Sequence, residues 1–149
     1  QLVRGFEEID AFRGGFASIG NFDGVHRGHQ AMLNTLVSRA RSEGVCAVAV
    51  TFDPHPIALL RPEATPPPLT SIEHRAELLG RYGVDVVLVI PTDRPFLSLT
   101  AEEFFAEIVR GELRARGLVE GPNFFFGRNR SGNVTVLKAL CAANGLSFD

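Results

Sequence analysis

The chain has no tryptophan, one tyrosine, one methionine and two cysteines in 149 residues. Cys46 and Cys141 make no metal-ligand spacing and sit in apolar surroundings, so they read as a pair of buried, reduced thiols. Excess charge is also lacking. A net charge of -2 gives no reason to expect a nucleic-acid partner, although Arg110/Arg114/Arg116 and Arg128/Arg130 are locally basic. Apolar runs such as 86–90 are far too short to cross a bilayer, so no membrane partner is expected. No basic, apolar leader opens the chain, and a cytoplasmic location is the expectation. Several nucleotide and nucleophile motifs are missing: G-x-x-x-x-G-K-[ST], G-x-G-x-x-G, C-x-x-C and G-x-S-x-G. These absences exclude a P-loop, a dinucleotide fingerprint, a dithiol centre and a serine elbow. No repeat or low-complexity tract occurs. With an ordinary apolar fraction of 45%, the length suits one domain with a real core.

What is present alternates between strand and helix patterns. Residues 16–19 read as a strand, and 26–41 as a helix with Met32, Leu33, Leu36, Val37 and Ala40 on its apolar face, stopped by Gly44. Residues 46–52 form a continuous β-branched run, as in a strand buried on both faces. A proline-rich connection covers 54–68. Thr70-Ser71-Ile72-Glu73 has the form of a capping box opening a helix to about Arg81, and 84–90 reads as the third strand. A second capping box, Thr100 to Glu103, starts a helix whose Phe104, Phe105, Ile108, Val109 and Leu113 share one face. A short strand at 118–119, a helix at 135–143 and the start of a fifth strand at 146–148 complete the pattern. The fold class that follows is α/β: a Rossmann-like open parallel sheet of about five strands, with helices on both faces. In such sheets ligands sit beyond the carboxyl ends of the strands, near the switch point.

Three segments occupy those positions. The first is Gly20-Asn21-Phe22-Asp23-Gly24-Val25-His26-Arg27-Gly28-His29. Its H-x-G-H places two histidines on one face of a helix's first turn, where free N–H groups and the dipole favour phosphate. Gly28 puts no side chain in a ligand's way. Asp23 could cap the helix, bind a metal or orient a ribose, and capping is the simplest of the three. The second segment, Thr51-Phe52-Asp53-Pro54-His55-Pro56, sets a carboxylate before a stiff Pro-x-Pro. The third runs from Gly121 to Gly132. Its Phe124, Phe125 and Phe126 cannot all face one core from a strand, so at least one is expected to meet a ligand or a second surface. An aromatic beside an arginine-rich loop suits a planar ring that carries a phosphate. No nucleophile is evident, which suits a reaction whose nucleophile comes with the substrate.

These motifs, together with L-T-S-I-E-H-R-A-E-L-L, resemble the FMN adenylyltransferase (FAD synthetase) module of prokaryotic bifunctional riboflavin kinase/FAD synthetases, in order from Gly15 to Gly145. H-x-G-H alone is shared across a wider nucleotidyltransferase superfamily. The resemblance implies FMN + ATP → FAD + pyrophosphate, with Mg²⁺. By carry-over, His26 and His29 are the catalytic pair at the ATP phosphates. Gly20, Asn21, Phe22, Asp23, Gly24 and Gly28 shape the nucleotide pocket. Phe52, Pro54, His55, Pro56, Phe124, Phe126 and Arg128 neighbour the flavin, while Asp53 and Asn123 serve the metal. Phe125 stands where the family often has a polar or charged residue. Residues 1–149 are expected to form the adenylyltransferase domain, ending before the family's Ser/Ser/Thr turn with its downstream Arg, and the riboflavin kinase module is absent from the sequence. The alternatives are a nucleotide- or flavin-binding fragment without turnover, and an adenylyltransferase for another phosphorylated acceptor.

Overall fold

Apolar periodicity places most element boundaries within a residue or two. The computed structural model describes residues 1–149. In chain order the elements are β1 (Leu2–Arg4), β2 (Phe16–Ile19), α1 (Arg27–Glu43), β3 (Ala47–Asp53), α2 (Pro56–Leu60), α3 (Ile72–Arg81), β4 (Val86–Pro91), α4 (Arg94–Leu97), α5 (Ala101–Phe104), β5 (Gly117–Leu118), β6 (Phe125–Phe126), β7 (Gly132–Asn133), α6 (Val134–Ala143) and β8 (Ser147–Phe148). Six strands pair in the order β1-β4-β3-β2-β5-β8, each neighbour parallel, giving the expected helix-flanked, Rossmann-like α/β sheet. This sheet has one strand more than expected, and β6 and β7 form a separate antiparallel pair. β1 went unread because Leu2-Val3 is a two-residue apolar run on an edge, too short to show a period.

β3 shows how the two layers form. Val48 and Val50 join one core cluster with Phe104, Ile108, Val109 and Leu137, while Ala47 and Ala49 join the other with Leu33, Leu36, Ala40 and Leu79. Alternation along the strand sends bulk to one face and small residues to the other, so α1 and α3 can lie close. α1 ends as read, at Gly44 in the left-handed region (φ 66), whose N–H donates to the carbonyls of Ala40 and Arg41. The Thr100–Glu103 capping box is formed. Beyond it the chain winds as a π-helix, Phe105–Glu112, rather than continuing the α-helix. Its five-residue spacing, seen in the Leu113 N–H to Ile108 carbonyl bond at 2.9 Å, keeps Phe104, Phe105, Ile108, Val109 and Leu113 all on the core.

Three local readings need correction. Ser71, not Thr70, caps α3, accepting the His74 N–H at 3.1 Å, because Thr70 is engaged with Asp23. The proline-rich connection is partly helical, with α2 and a 3-10 turn at Pro62–Ala64; Pro56 and Pro62 occupy first-turn positions, where proline's fixed φ and missing N–H fit. Both cysteines are free, but only Cys141 is buried; Cys46 is half-buried at the edge of the core.

Candidate active site

The chain runs from β2 to β3 to β4 in one direction across the sheet, then returns to lay β5 on the other flank of β2. The switch point therefore lies between β2 and β5, and the H-x-G-H segment leaves the carboxyl end of β2 directly beside it. His26 is the N-cap of α1 and supplies no capping hydrogen bond, so the first N–H groups of a 17-residue helix stay open to an anion. His26 and His29 are stacked, with ring centroids 3.6 Å apart and 22° between planes. Gly28 is explained by this pair, since a Cβ there would meet His26 Cε1 at 3.2 Å. His29 leans on Phe22 at 5.2 Å, and its Nδ1 is buried without a partner. Burial first, then the positive charges of His26 and Arg75, lower His29 to about 4. It is neutral at pH 7.

The rest of the corner is held from below. Phe22 is fully buried, so its side chain props the loop from beneath. Gly20 N–H donates to the Val50 carbonyl at 2.9 Å, and Gly24 takes φ 76. Asn21 Oδ1 is a second buried acceptor with no partner. Asp23 does not cap α1. Its Oδ2 accepts the Leu69 N–H at 2.9 Å, and its Oδ1 accepts the Thr70 N–H at 2.8 Å and the Thr70 hydroxyl at 2.7 Å. Burial pushes this carboxyl up, but those hydrogen bonds and the Arg75 charge hold it below the ordinary range. Arg75, 6% exposed, donates from Nη2 to Asp23 Oδ1 (3.4 Å) and the Thr70 carbonyl (3.3 Å), from Nε to Thr70 Oγ1 (3.2 Å), and from Nη1 to Thr51 Oγ1 (3.3 Å). The Thr51 hydroxyl donates in turn to the Asn21 carbonyl at 3.0 Å.

Arg75 went unread as part of the site. The available signal was a charged residue on the 72/75/76/79 stripe of α3, where an apolar one belongs.

The other two segments approach through aromatic rings. Phe52 contacts Phe96 at 5.8 Å, Phe96 contacts Phe104 at 5.9 Å, Phe104 contacts Phe126 at 5.6 Å, and Phe126 stacks on Phe124 at 5.5 Å. Phe96 and Phe104 were read only as core or not at all. The three consecutive phenylalanines divide as the alternation requires: Phe126 is buried, Phe124 half-buried, and Phe125 exposed under Arg130 at 4.4 Å. Arg128 and Asn123 are exposed on the same loop. His55 caps α2, its Nδ1 accepting the Ile57 N–H at 3.0 Å; burial and then the Arg75 charge lower it, with Asp23 partly opposing. Pro54 is exposed and Pro56 half-buried.

Asp53 is exposed and accepts from Arg4 Nη1 at 3.4 Å, while Arg4 Nη2 reaches Glu73 at 2.7 Å. No three His, Cys, Asp or Glu side chains gather into a metal cage. Asp53 and Asn123 do offer oxygen donors, and Mg²⁺ that arrives on a triphosphate keeps several waters and needs only one or two protein oxygens. In donor type each suits that ion, though they stand on separate segments and Asp53 is paired with Arg4. One more carboxylate, unread in the sequence, lies at the switch point. Glu120 Oε1 accepts the Ile19 N–H at 2.7 Å, a group that two-residue β5 is too short to pair, and burial raises this carboxyl well above the usual range.

Known proteins match this chain along nearly its whole length. A family model described as FAD synthetase matches residues 9–149. The bifunctional riboflavin kinase/FMN adenylyltransferase of Pseudomonas fluorescens is 41% identical over 150 aligned residues, covering 100% of this chain and 48% of its own length. That of Escherichia coli (strain K12) is 35% identical over 140 residues, covering 93% of this chain and 45% of its own. The chain thus spans about half the length of these curated relatives. A solved structure, "Crystal Structure of Macrolide-efflux Protein from Streptococcus pneumoniae", matches with a TM-score of 0.79 at 24% identity, over 99% of this chain and 48% of that one; at that identity the likeness carries the fold alone. The family match takes in the imidazole corner, the Asp53 strand end and the phenylalanine loop together, and the chain belongs to the FAD synthetase family.

Proposed function

We propose that this chain transfers the adenylyl group of ATP to FMN, giving FAD and pyrophosphate. The observation that carries the reading is the stacked His26–His29 pair beside an uncapped α1 N-terminus at the sheet's switch point. An FMN phosphate oxygen attacks the α-phosphorus of ATP in line, the bond from that phosphorus to the bridging oxygen breaks, and pyrophosphate leaves with the electron pair. A phosphate monoester carries about −1.5 to −2 charge at pH 7, so no general base is needed. Positioning and charge dispersal are what remain for the protein.

The α1 N–H groups take triphosphate oxygens, with Gly20 to Gly24 and Gly28 giving the nucleotide close access to backbone. Neutral His29 serves as a fixed hydrogen-bonding group in a dry setting, and exposed His26 meets the leaving phosphates. Phe52, Pro54, His55, Pro56 and Phe124 wall the flavin, Phe126 backs Phe124, and Arg128 takes phosphate. Asp53 and Asn123 would hold Mg²⁺, which would supply charge to offset that on the leaving pyrophosphate.

The test is an HPLC assay for FAD with ATP, Mg²⁺ and a panel of phosphorylated acceptors, beside calorimetric titration of each ligand. FAD formed from FMN alone is expected. Product from a different acceptor and none from FMN overturns the acceptor assignment, and binding of both ligands without FAD overturns catalysis.

A further inference from the structure

The loop that carries the imidazoles is strained. Phe22 (φ 52) and Val25 (φ 43) occupy the left-handed region without being glycine, and for β-branched Val25 this is a true outlier. Such conformations are costly and persist only where the surroundings over-determine them. The same loop carries two buried polar atoms without partners, Asn21 Oδ1 and His29 Nδ1. A free loop would relax until both were satisfied. Something therefore holds it in a shape that suits a ligand better than it suits the loop itself.

The restraint is the guanidinium of α3. A buried ion pair is a poor choice for stability alone, since apolar packing of the same volume is often as good or better. Here the charge instead joins three chain segments: Asp23 in the loop, Thr51 at the end of β3, and Thr70 before α3. Through Thr51 it also reaches the Asn21 carbonyl. Both neighbours of strained Phe22 are tied to one planar fork, Asp23 directly and Asn21 through Thr51, which a lysine's single ammonium cannot reproduce. We propose that Arg75 is a positioning residue for adenylyl transfer, clamping residues 21–24 so that the α1 N-terminus and both imidazoles are pre-set for the triphosphate. This rests on the reading of the corner as a nucleotide site. Arg75 touches neither substrate nor reacting atoms in this scheme; it acts through Asp23, Thr51 and Thr70.

Two conservative variants test the clamp. Thr51→Val keeps the shape of β3 and removes the relay to Asn21, while Arg75→Lys keeps the charge and removes the fork. Each is titrated with α,β-methylene-ATP and, separately, with FMN, and assayed for FAD formation. About 10-fold weaker binding of the ATP analogue is expected for Thr51→Val, in line with one lost link to a charged network, and at least as much for Arg75→Lys. FMN binding stays within about twofold, and the double variant loses less than the two single losses combined. A lowered melting temperature with analogue binding and turnover unchanged makes Arg75 merely structural and overturns the proposal. If Arg75→Lys fails to fold, Thr51→Val decides alone. A wild-type chain that binds the analogue but forms no FAD, with both variants weakened, upholds the clamp while overturning the transferase reading. A wild-type chain that does not bind the analogue overturns both.

Discussion

Replacing His29 with alanine tests the electrostatics of the corner most directly. Its imidazole titrates at about 4, lowered by burial and then by the charges of His26 and Arg75. In the free chain that lowering leaves His29 neutral at pH 7. Loss of a fixed hydrogen-bonding group aimed at transition-state charge commonly costs 10²–10³ in turnover, so His29→Ala is expected to lower kcat roughly 100-fold or more. On the proposed function FMN affinity should change little, because the segments assigned to the flavin are others. The measurement is FAD formed per unit time at saturating ATP and FMN, by HPLC.

The same shift fixes a pH dependence of stability. His29's folded value lies below its unfolded 6.5, so on acidification the unfolded chain takes up the proton first. Stability from the neutral ring is complete above pH 6.5 and is lost as pH falls toward 4, by at most about 3 kcal/mol. Wild type should therefore lose melting temperature across that window more steeply than His29→Ala. Turnover equal to wild type in the variant, or parallel melting profiles, would refute the reasoning.

Glu120→Gln keeps the acceptor for the Ile19 N–H and removes a carboxyl whose ionisation burial opposes. Its folded value is raised, so the wild-type penalty grows as pH climbs above 4.5; the variant should melt higher at pH 8 and equal at pH 4. Gly127→Ala places a Cβ 2.7 Å from the Ala101 nitrogen at φ 77, and should cost about 3 kcal/mol or more by urea unfolding, since both strain and backbone overlap oppose it. Phe104→Ala empties the middle of the ring chain between Phe52 and Phe124; a loss of about 3–5 kcal/mol is expected, and weaker FMN binding in titration should accompany it.

Periodicity and caps made most of the architecture legible. The 46–52 run, the Gly44 stop and the Thr100 capping box are local signals, and each matches the observed element closely. β1 and the β6–β7 pair are too short to show any period, and the π-helix keeps the same apolar face as an α-helix while differing in hydrogen bonding. Within the candidate site, the two histidines and the glycine between them were readable because their spacing alone brings the rings together. Of the roles open to Asp23, capping, the simplest, does not occur, because its partners Leu69 and Thr70 lie 46 and 47 residues away in sequence. Arg75 and Glu120 act by filling gaps that only the folded sheet creates, and a linear pattern holds no record of those gaps.

The ring-to-ring chain from Phe52 to Phe124 has a consequence for acceptor choice. The two walls around the proposed flavin side are linked by side-chain volume, so their spacing depends on Phe96 and Phe104, which belong to neither lining segment. Trimming or enlarging Phe96 would move one wall relative to the other while leaving both lining segments unaltered. On the proposed function, selectivity among planar acceptors would then be tuned from outside the segments that line the flavin.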